Sequence, residues 1–279
     1  MKLGHINVHS RWLAVSALVS YIIGNTAMAA PGVIGNKPLI LESTPVQPNI
    51  FFLVDDSGSM NWEDLLNTGT QYPATSSAGS NLDFSPDNAL GKRLLCRGFN
   101  VMAYDPDITY KPWAGVDSAG NNYADLTLTT ARSNPYSTTV TDISDHVYVK
   151  WTDSDDDNSY DGPGSTNISS SSSTDDECDI DNPVAVNSLT AAQQTNYANW
   201  YSYYRKREYI AKRALSQIIK DSSARIGLGS LHNHNSIRTP VKDIDDITTP
   251  VDATARTNKN NLLGNLFNID SSNGTPLRL

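Results

Sequence analysis

Residues 50–54 are Ile, Phe, Phe, Leu and Val, and the next five are Asp55, Asp56, Ser57, Gly58 and Ser59. A strand covered on both faces reads as a continuous apolar run, and open α/β sheets place their ligands beyond the carboxyl ends of such strands. The pattern predicts an interior strand of a parallel sheet with a binding loop at its end. Asp55, Ser57 and Ser59 alternate in that loop and offer one carboxylate and two hydroxyls, the hard oxygen donors that Mg²⁺ takes. Gly58 lets the backbone turn sharply between the serines. Asp56 reads either as a group supporting the loop from behind or as a solvent-facing neighbour.

The 279-residue chain carries a formal net charge of −9, which argues against nucleic acid and anionic membranes as partners. Its first residues do not read as part of the fold. Lys2, His5, His9 and Arg11 form a basic lead and residues 12–23 a short apolar core. Ala27-Met28-Ala29 then gives a small-x-small cleavage site. This is the pattern of a secretory signal peptide over residues 1–29, and the apolar run is shorter than the roughly 20 residues a spanning helix needs. The reading implies export, a mature chain from about Ala30 and no membrane span in it. Export would place the two cysteines, Cys96 and Cys178, where disulfides persist, and a bridge between them would staple a loop-rich region. The sequence alone does not bring the two sulfurs together.

Residues 30–48 are rich in Pro and Gly and read as an extended segment, with an edge strand at 39–41. Residues 61–189 are dominated by Asn, Asp, Ser, Thr, Gly and Pro and show little periodicity. Two patches there look ordered: residues 101–113 as an extended packed loop, and residues 146–151 as a strand. Residues 169–177 hold too little apolar surface to order themselves. Periodicity returns at Thr190, which forms a capping-box signature with Gln193 and opens one long helix over 191–221. Strands at 224–231 and 236–241 and a helix over 258–267 follow.

The Asp55-x-Ser57-x-Ser59 loop after its apolar strand resembles the metal-ion-dependent adhesion site of von Willebrand factor type A domains. The resemblance implies an α/β, Rossmann-like parallel sheet over residues 49–279, interrupted by the large polar insertion 61–189. It also implies that Ser57 and Ser59 bind Mg²⁺ (or Mn²⁺ or Ca²⁺) directly and Asp55 mostly through water. Thr275, in Gly274-Thr275-Pro276, matches the family's second motif, and an acidic side chain of a partner protein would complete the shell. The third motif, an aspartate ending a later strand, has no counterpart before Leu279, so the resemblance implies a truncated domain, incomplete at its C-terminus. Taken with the Tyr104-Asp105-Pro106 to Lys111-Pro112-Trp113 run, the chain is similar to the N-terminal region of type IV pilus tip-associated adhesins and assembly proteins. That likeness implies a non-enzymatic binding module of pilus biogenesis or adhesion, at the bacterial surface, the pilus tip or the periplasm.

Other chemistry is weaker. Asp153, Asp155, Asp157 and Asp161 begin with the spacing of a calcium loop, but Asn158 and Gly164 stand where Gly and Glu belong, so a solvated acidic loop is the preferred reading over weak Ca²⁺ binding. His232 and His234 alternate after a strand without an evident third ligand and read as a polar loop. Asp56-Ser57-Gly58 also matches the way an aspartic protease presents its carboxylate, but a second copy is missing and a homodimer would be needed. The remaining alternative is an exported structural protein with a vestigial metal loop.

Overall fold

The computed structural model describes residues 46–67, 81–154, 156, 158, 160, 177–232, 238–245 and 252–271. The expected signal peptide, residues 30–45 of the extended segment with their strand at 39–41, residues 169–176 and Thr275 lie outside the described residues.

The apolar run forms β1 (Asn49–Val54), which pairs in parallel with β6 (Arg225–Ser230) from Asn49↔Arg225 to Val54↔Ser230. β7 (Thr239–Asp243) pairs with the other edge of β6, and the order in the sheet is β1-β6-β7. The sheet is mixed rather than parallel, because β7 runs antiparallel to β6. The chain between Ser230 and Thr239 is too short for the dozen or more residues a parallel crossover needs. The strand expected at 236–241 is thus displaced to Thr239–Asp243.

Where one long helix is expected over 191–221, the chain forms two. α2 (Ala191–Tyr203) opens on the capping box, with Gln193 N–H on Thr190 Oγ1 and Thr190 N–H on Gln193 Oε1. It ends at Tyr204, and Lys206 is extended before α3 (Arg207–Asp221) begins. The expected continuous helix breaks because Arg205 is drawn into the interior, where it donates to Tyr201 O, Ser133 O and Glu63. Asp252 caps α4 (Ala253–Phe267) by accepting from the Thr254 and Ala255 amides.

One face of the sheet is covered. Phe52, Val54, Ile226 and Leu228 meet Ile219 of α3 and Leu262, Leu266 and Phe267 of α4 in one core. Each such side chain contributes about 1.5–3 kcal/mol when fully buried. Phe51 and Leu53, on the opposite face of β1, stay 45% and 59% exposed, so the strand expected to be interior and covered on both faces lies instead at the edge of the described sheet and is covered on one.

The described part of 61–189 is better ordered than its composition implies. It holds α1 (Ala89–Leu94) and two small antiparallel pairs, β2 (Val147–Tyr148) with β5 (Val184–Ala185) and β3 (Trp151–Thr152) with β4 (Glu177–Cys178). The strand expected over 146–151 is therefore split between two partners. Tyr104, Tyr110 and Tyr148 bury with Tyr197 and Trp200 of α2 in a second core. Asn196 and Asn199 of α2 supply the hydrogen bonds this loop lacks: Asn196 accepts from Tyr110 N–H and donates to Ile108 O, and Asn199 donates to Tyr110 O and accepts from Leu126 N–H. Trp113 donates through Nε1 to Tyr203 O at 3.0 Å and stacks on Phe267, with ring centroids 5.1 Å apart. Cys96 and Cys178 form a disulfide inside a third cluster with Leu94, Leu95, Phe99, Val149 and Tyr160.

Candidate functional site

The loop leaving β1 bends at once into a 3-10 turn, Gly58–Asn61, held by Met60 N–H on Ser57 O at 3.0 Å and Trp62 N–H on Ser59 O at 3.3 Å. Ser57 Oγ and Ser59 Oγ lie 3.1 Å apart, and Asp55 Oδ1 accepts the Ser57 amide at 2.9 Å. Ser57 is buried, while Asp55 and Ser59 are half-buried at the mouth of the loop. The residues fit a small hard cation. Neighbouring oxygens of an octahedral Mg²⁺ shell, with metal–oxygen distances of about 2.0–2.1 Å, stand roughly 2.9 Å apart. The two serine hydroxyls have close to that spacing, with a carboxylate two residues away. Thr275, the expected fourth ligand, lies outside the described residues, and the chain is described to Ser271.

The side of the loop facing the core belongs to Asp56. It is 0% exposed, and its Oδ1 accepts the His232 amide at 2.7 Å, while Leu231 N–H reaches Val54 O at 2.9 Å. Asp56 thus ties the loop after β1 to the loop after β6. Of the two sequence readings, support from behind holds and solvent exposure does not.

Beyond the turn, residues 61–64 are strapped to the junction of α2 and α3. Lys206 Nζ donates to Asn61 Oδ1 at 2.6 Å, Arg207 Nη2 to Asp64 O at 2.6 Å, and Arg205 Nε to Glu63 Oε1 at 2.9 Å. The guanidinium of Arg205 also lies over the Tyr201 ring, 4.2 Å from its centroid. Burial holds the Lys206 ammonium below its ordinary pKa, against the pull of Glu63 and Glu208. A cavity of about 670 Å³ opens beside this strap, lined among others by Asn61, Glu63, Lys206, Tyr209 and Lys212. Sequence reasoning missed these straps. The single cue to one of them is the run of basic residues at 205–207, which reads as a solvated helix face.

Most of the remaining candidates fall outside the described residues. Asp153 accepts the Asn158 amide through Oδ2 at 3.0 Å, and Asp155, Asp157 and Asp161 lie outside the described residues, as does His234. Among the described residues no group of three or more His, Cys, Asp or Glu side chains is placed to hold a metal. No described helix is long and apolar enough to cross a membrane.

A loop of this chemistry at the end of β1, with α2 and α3 carrying the chain on to β6, belongs to a mixed α/β protein with a small mixed sheet. No family model matches the chain, and no solved structure matches it. Among curated proteins it is similar to the type IV pilus biogenesis factor PilY1 of Pseudomonas aeruginosa (strain UCBPP-PA14), with 25% identity over 216 residues. The match takes in 72% of this chain and 17% of the relative, so the chain spans about a sixth of that protein's length.

Proposed function

We propose that this chain is an exported, non-enzymatic, metal-dependent protein-binding module of a type IV pilus biogenesis or adhesion system, with a type A-like fold. The reading has Asp55, Ser57 and Ser59, with Thr275, holding Mg²⁺, Mn²⁺ or Ca²⁺ on the face where β1 ends. A cation there would supply a positive centre that takes a carboxylate of a partner protein into its shell. The observation that carries the reading is the 3.1 Å approach of the Ser57 and Ser59 hydroxyls beside Asp55, in the loop that leaves β1, a strand paired in parallel with β6. Similarity to a pilus biogenesis factor supplies the setting. A disulfide at Cys96–Cys178 suits an oxidising compartment such as the periplasm or cell surface. Burial of Asp56 beneath the His232 amide weighs against its use as the exposed carboxylate of a dimeric protease.

The test is thermal unfolding of the EDTA-stripped full chain with and without Mg²⁺, alongside retention of the chain on sheared pili. At about 100 Kd of ion the folded state gains about 2.7 kcal/mol. Ser57→Ala is expected to abolish that gain and the retention together. A wild-type chain that shows no ion-dependent stabilisation is instead an exported structural protein with a vestigial loop.

A further inference from the structure

Three polar atoms beneath the metal loop have no hydrogen-bond partner: Asp56 Oδ2, Ser230 Oγ and His232 Nδ1. Asp56 and Ser230 are 0% and 1% exposed. Their placement follows from the strand register. Ser230 is paired with Val54, so both side chains turn to the helix-covered face, with Ile226 and Leu228 before Ser230 on the same side. Asp56 lies two residues beyond Val54 and keeps that face, and its Oδ1 already holds the backbone amide of His232, two residues beyond Ser230. The three orphan groups thus stand at the carboxyl ends of two adjacent parallel strands, the crevice in which such sheets bind ligands.

A buried carboxylate oxygen without a donor costs several kcal/mol unless a positive charge or hydrogen bond meets it. The neighbouring cations are engaged elsewhere: Arg205 with Glu63, Lys206 with Asn61, Arg207 with the Asp64 carbonyl, and Lys212 with the Phe267 and Ile269 carbonyls. Ser57, the next residue, turns its hydroxyl to Ser59. The chemistry left over is one carboxylate oxygen, one hydroxyl and one imidazole nitrogen, with half-buried His232 on the open side.

We infer that Asp56, Ser230 and His232 form a second cation position behind the adhesion-type loop, separate from Asp55, Ser57 and Ser59, and suited to a borderline divalent ion such as Mn²⁺, Co²⁺ or Zn²⁺. A mixed oxygen and imidazole donor set favours such ions over Mg²⁺. An ion at this position would join the loop after β1 to the loop after β6 more firmly than the single Asp56–His232 amide contact does. The inference stands on atoms different from those of the proposed binding module and is tested apart from it.

The experiment is calorimetric titration of the EDTA-stripped full chain with Mn²⁺, and absorption spectroscopy with Co²⁺ as the probe. Two Mn²⁺ per chain are expected. Asp56→Asn and Ser57→Ala should each remove one, and Co²⁺ should show an imidazole-dependent band that His232→Gln abolishes. Ser230→Ala, which removes a hydroxyl without leaving a charge, keeps the test valid if Asp56→Asn fails to fold. It should weaken one ion by at least the about tenfold that even an outer-shell partner is worth. A single ion that is lost in Ser57→Ala and indifferent to Ser230→Ala and His232→Gln overturns the inference and leaves the binding module standing. A single ion with the reverse pattern supports the inference and removes the proposed function's metal. No bound ion overturns both.

Discussion

Arg205 donates through Nε to Glu63 Oε1 at 2.9 Å, and the two side chains are only 6% and 5% exposed, so a fully interior ion pair ties the segment after the candidate metal loop to the break between α2 and α3. Glu63 also accepts the Leu82 amide through its other oxygen at 2.8 Å, and Arg205 donates from its two terminal nitrogens to the Tyr201 and Ser133 carbonyls. Each carboxylate oxygen and each guanidinium nitrogen therefore has a partner. Losing one partner of such a pair strands the other charge in the interior, which costs about 3–5 kcal/mol. Glu63→Ala is expected to destabilise the chain by that amount in urea unfolding, and Glu63→Gln by less, since the amide keeps an acceptor for Leu82. A double-mutant cycle with Arg205→Met separates the coupling from the two single losses. A loss below about 1 kcal/mol for Glu63→Ala would place the pair in the class of solvent-screened bridges.

Histidine 146 gives the fold an acid-sensitive point. Its ring stacks on Phe84 with centroids 4.7 Å apart, and its Nδ1 lies 3.3 Å from Tyr197 Oη. Burial holds its pKa down to about 4, with Asp145 opposing and Arg205 assisting. The folded chain therefore refuses a proton that the unfolded chain accepts below pH 6.5. Stability is expected to fall as pH drops from about 6.5 to about 4, by roughly 2–3 kcal/mol from this residue, and to change no further on its account below that. Comparing urea midpoints of wild type and His146→Phe at pH 7 and pH 4.5 isolates the effect from that of the carboxylates. Equal pH dependence in the two proteins would assign the acid sensitivity elsewhere.

The disulfide closes a stretch whose ends are 82 residues apart in sequence, between α1 and β4. The entropy removed from the unfolded chain by a loop of that length is about 4 kcal/mol in the chain-entropy description, and native bridges in small exported domains are worth about 2–5 kcal/mol. Cys96→Ala with Cys178→Ala is expected to lose stability in this range while leaving the β1–β6–β7 sheet assembled, because the bridge sits in a cluster separate from the sheet core. Far-ultraviolet circular dichroism together with denaturant titration checks both halves. A double variant with unchanged stability would show that the cluster of Leu95, Phe99 and Val149 closes without the bridge.

The parts of this fold that were legible in the sequence are those fixed by near neighbours. The apolar run before Asp55, the Thr190–Gln193 capping box and the Arg225–Ser230 strand all depend on local pattern. The break at Tyr204–Lys206 was not legible, because Arg205 leaves helical geometry to meet a glutamate 142 residues upstream. Within 61–189 the packed loop at 101–113 and strand character at 146–151 were legible, but the surfaces they pack on were not. The segment's composition is polar, but its tyrosines are spaced to pack on α2, and Asn196 and Asn199 look like surface residues until the loop they bond is in place. At the site, the alternation of Asp55, Ser57 and Ser59 was readable as chemistry. The inward turn of Asp56 was not, since it answers an amide 176 residues away.

Lys212 offers the last test, because it anchors the described end of the chain. Its Nζ is buried, donates to Phe267 O at 3.2 Å and Ile269 O at 2.6 Å, and lies 3.8 Å from Glu208 Oε1. Glu208 in turn accepts the Ser271 amide at 3.2 Å. One lysine and one glutamate of α3 thus satisfy the end of α4 and the segment after it, four residues before Thr275. Burial holds the Lys212 ammonium below its ordinary pKa, with Glu208 pulling the other way. Removing the ammonium leaves two carbonyls without this donor and takes away the cation beside Glu208. Lys212→Met is expected to destabilise the chain by about 3–5 kcal/mol and to speed amide exchange at Ser271. If Thr275 is a metal ligand as proposed, the same variant also weakens Mg²⁺ binding, whereas a substitution of matched stability loss away from this segment, such as Val149→Ala, does not. Equal Mg²⁺ affinity in the two variants would separate the C-terminal segment from the cation.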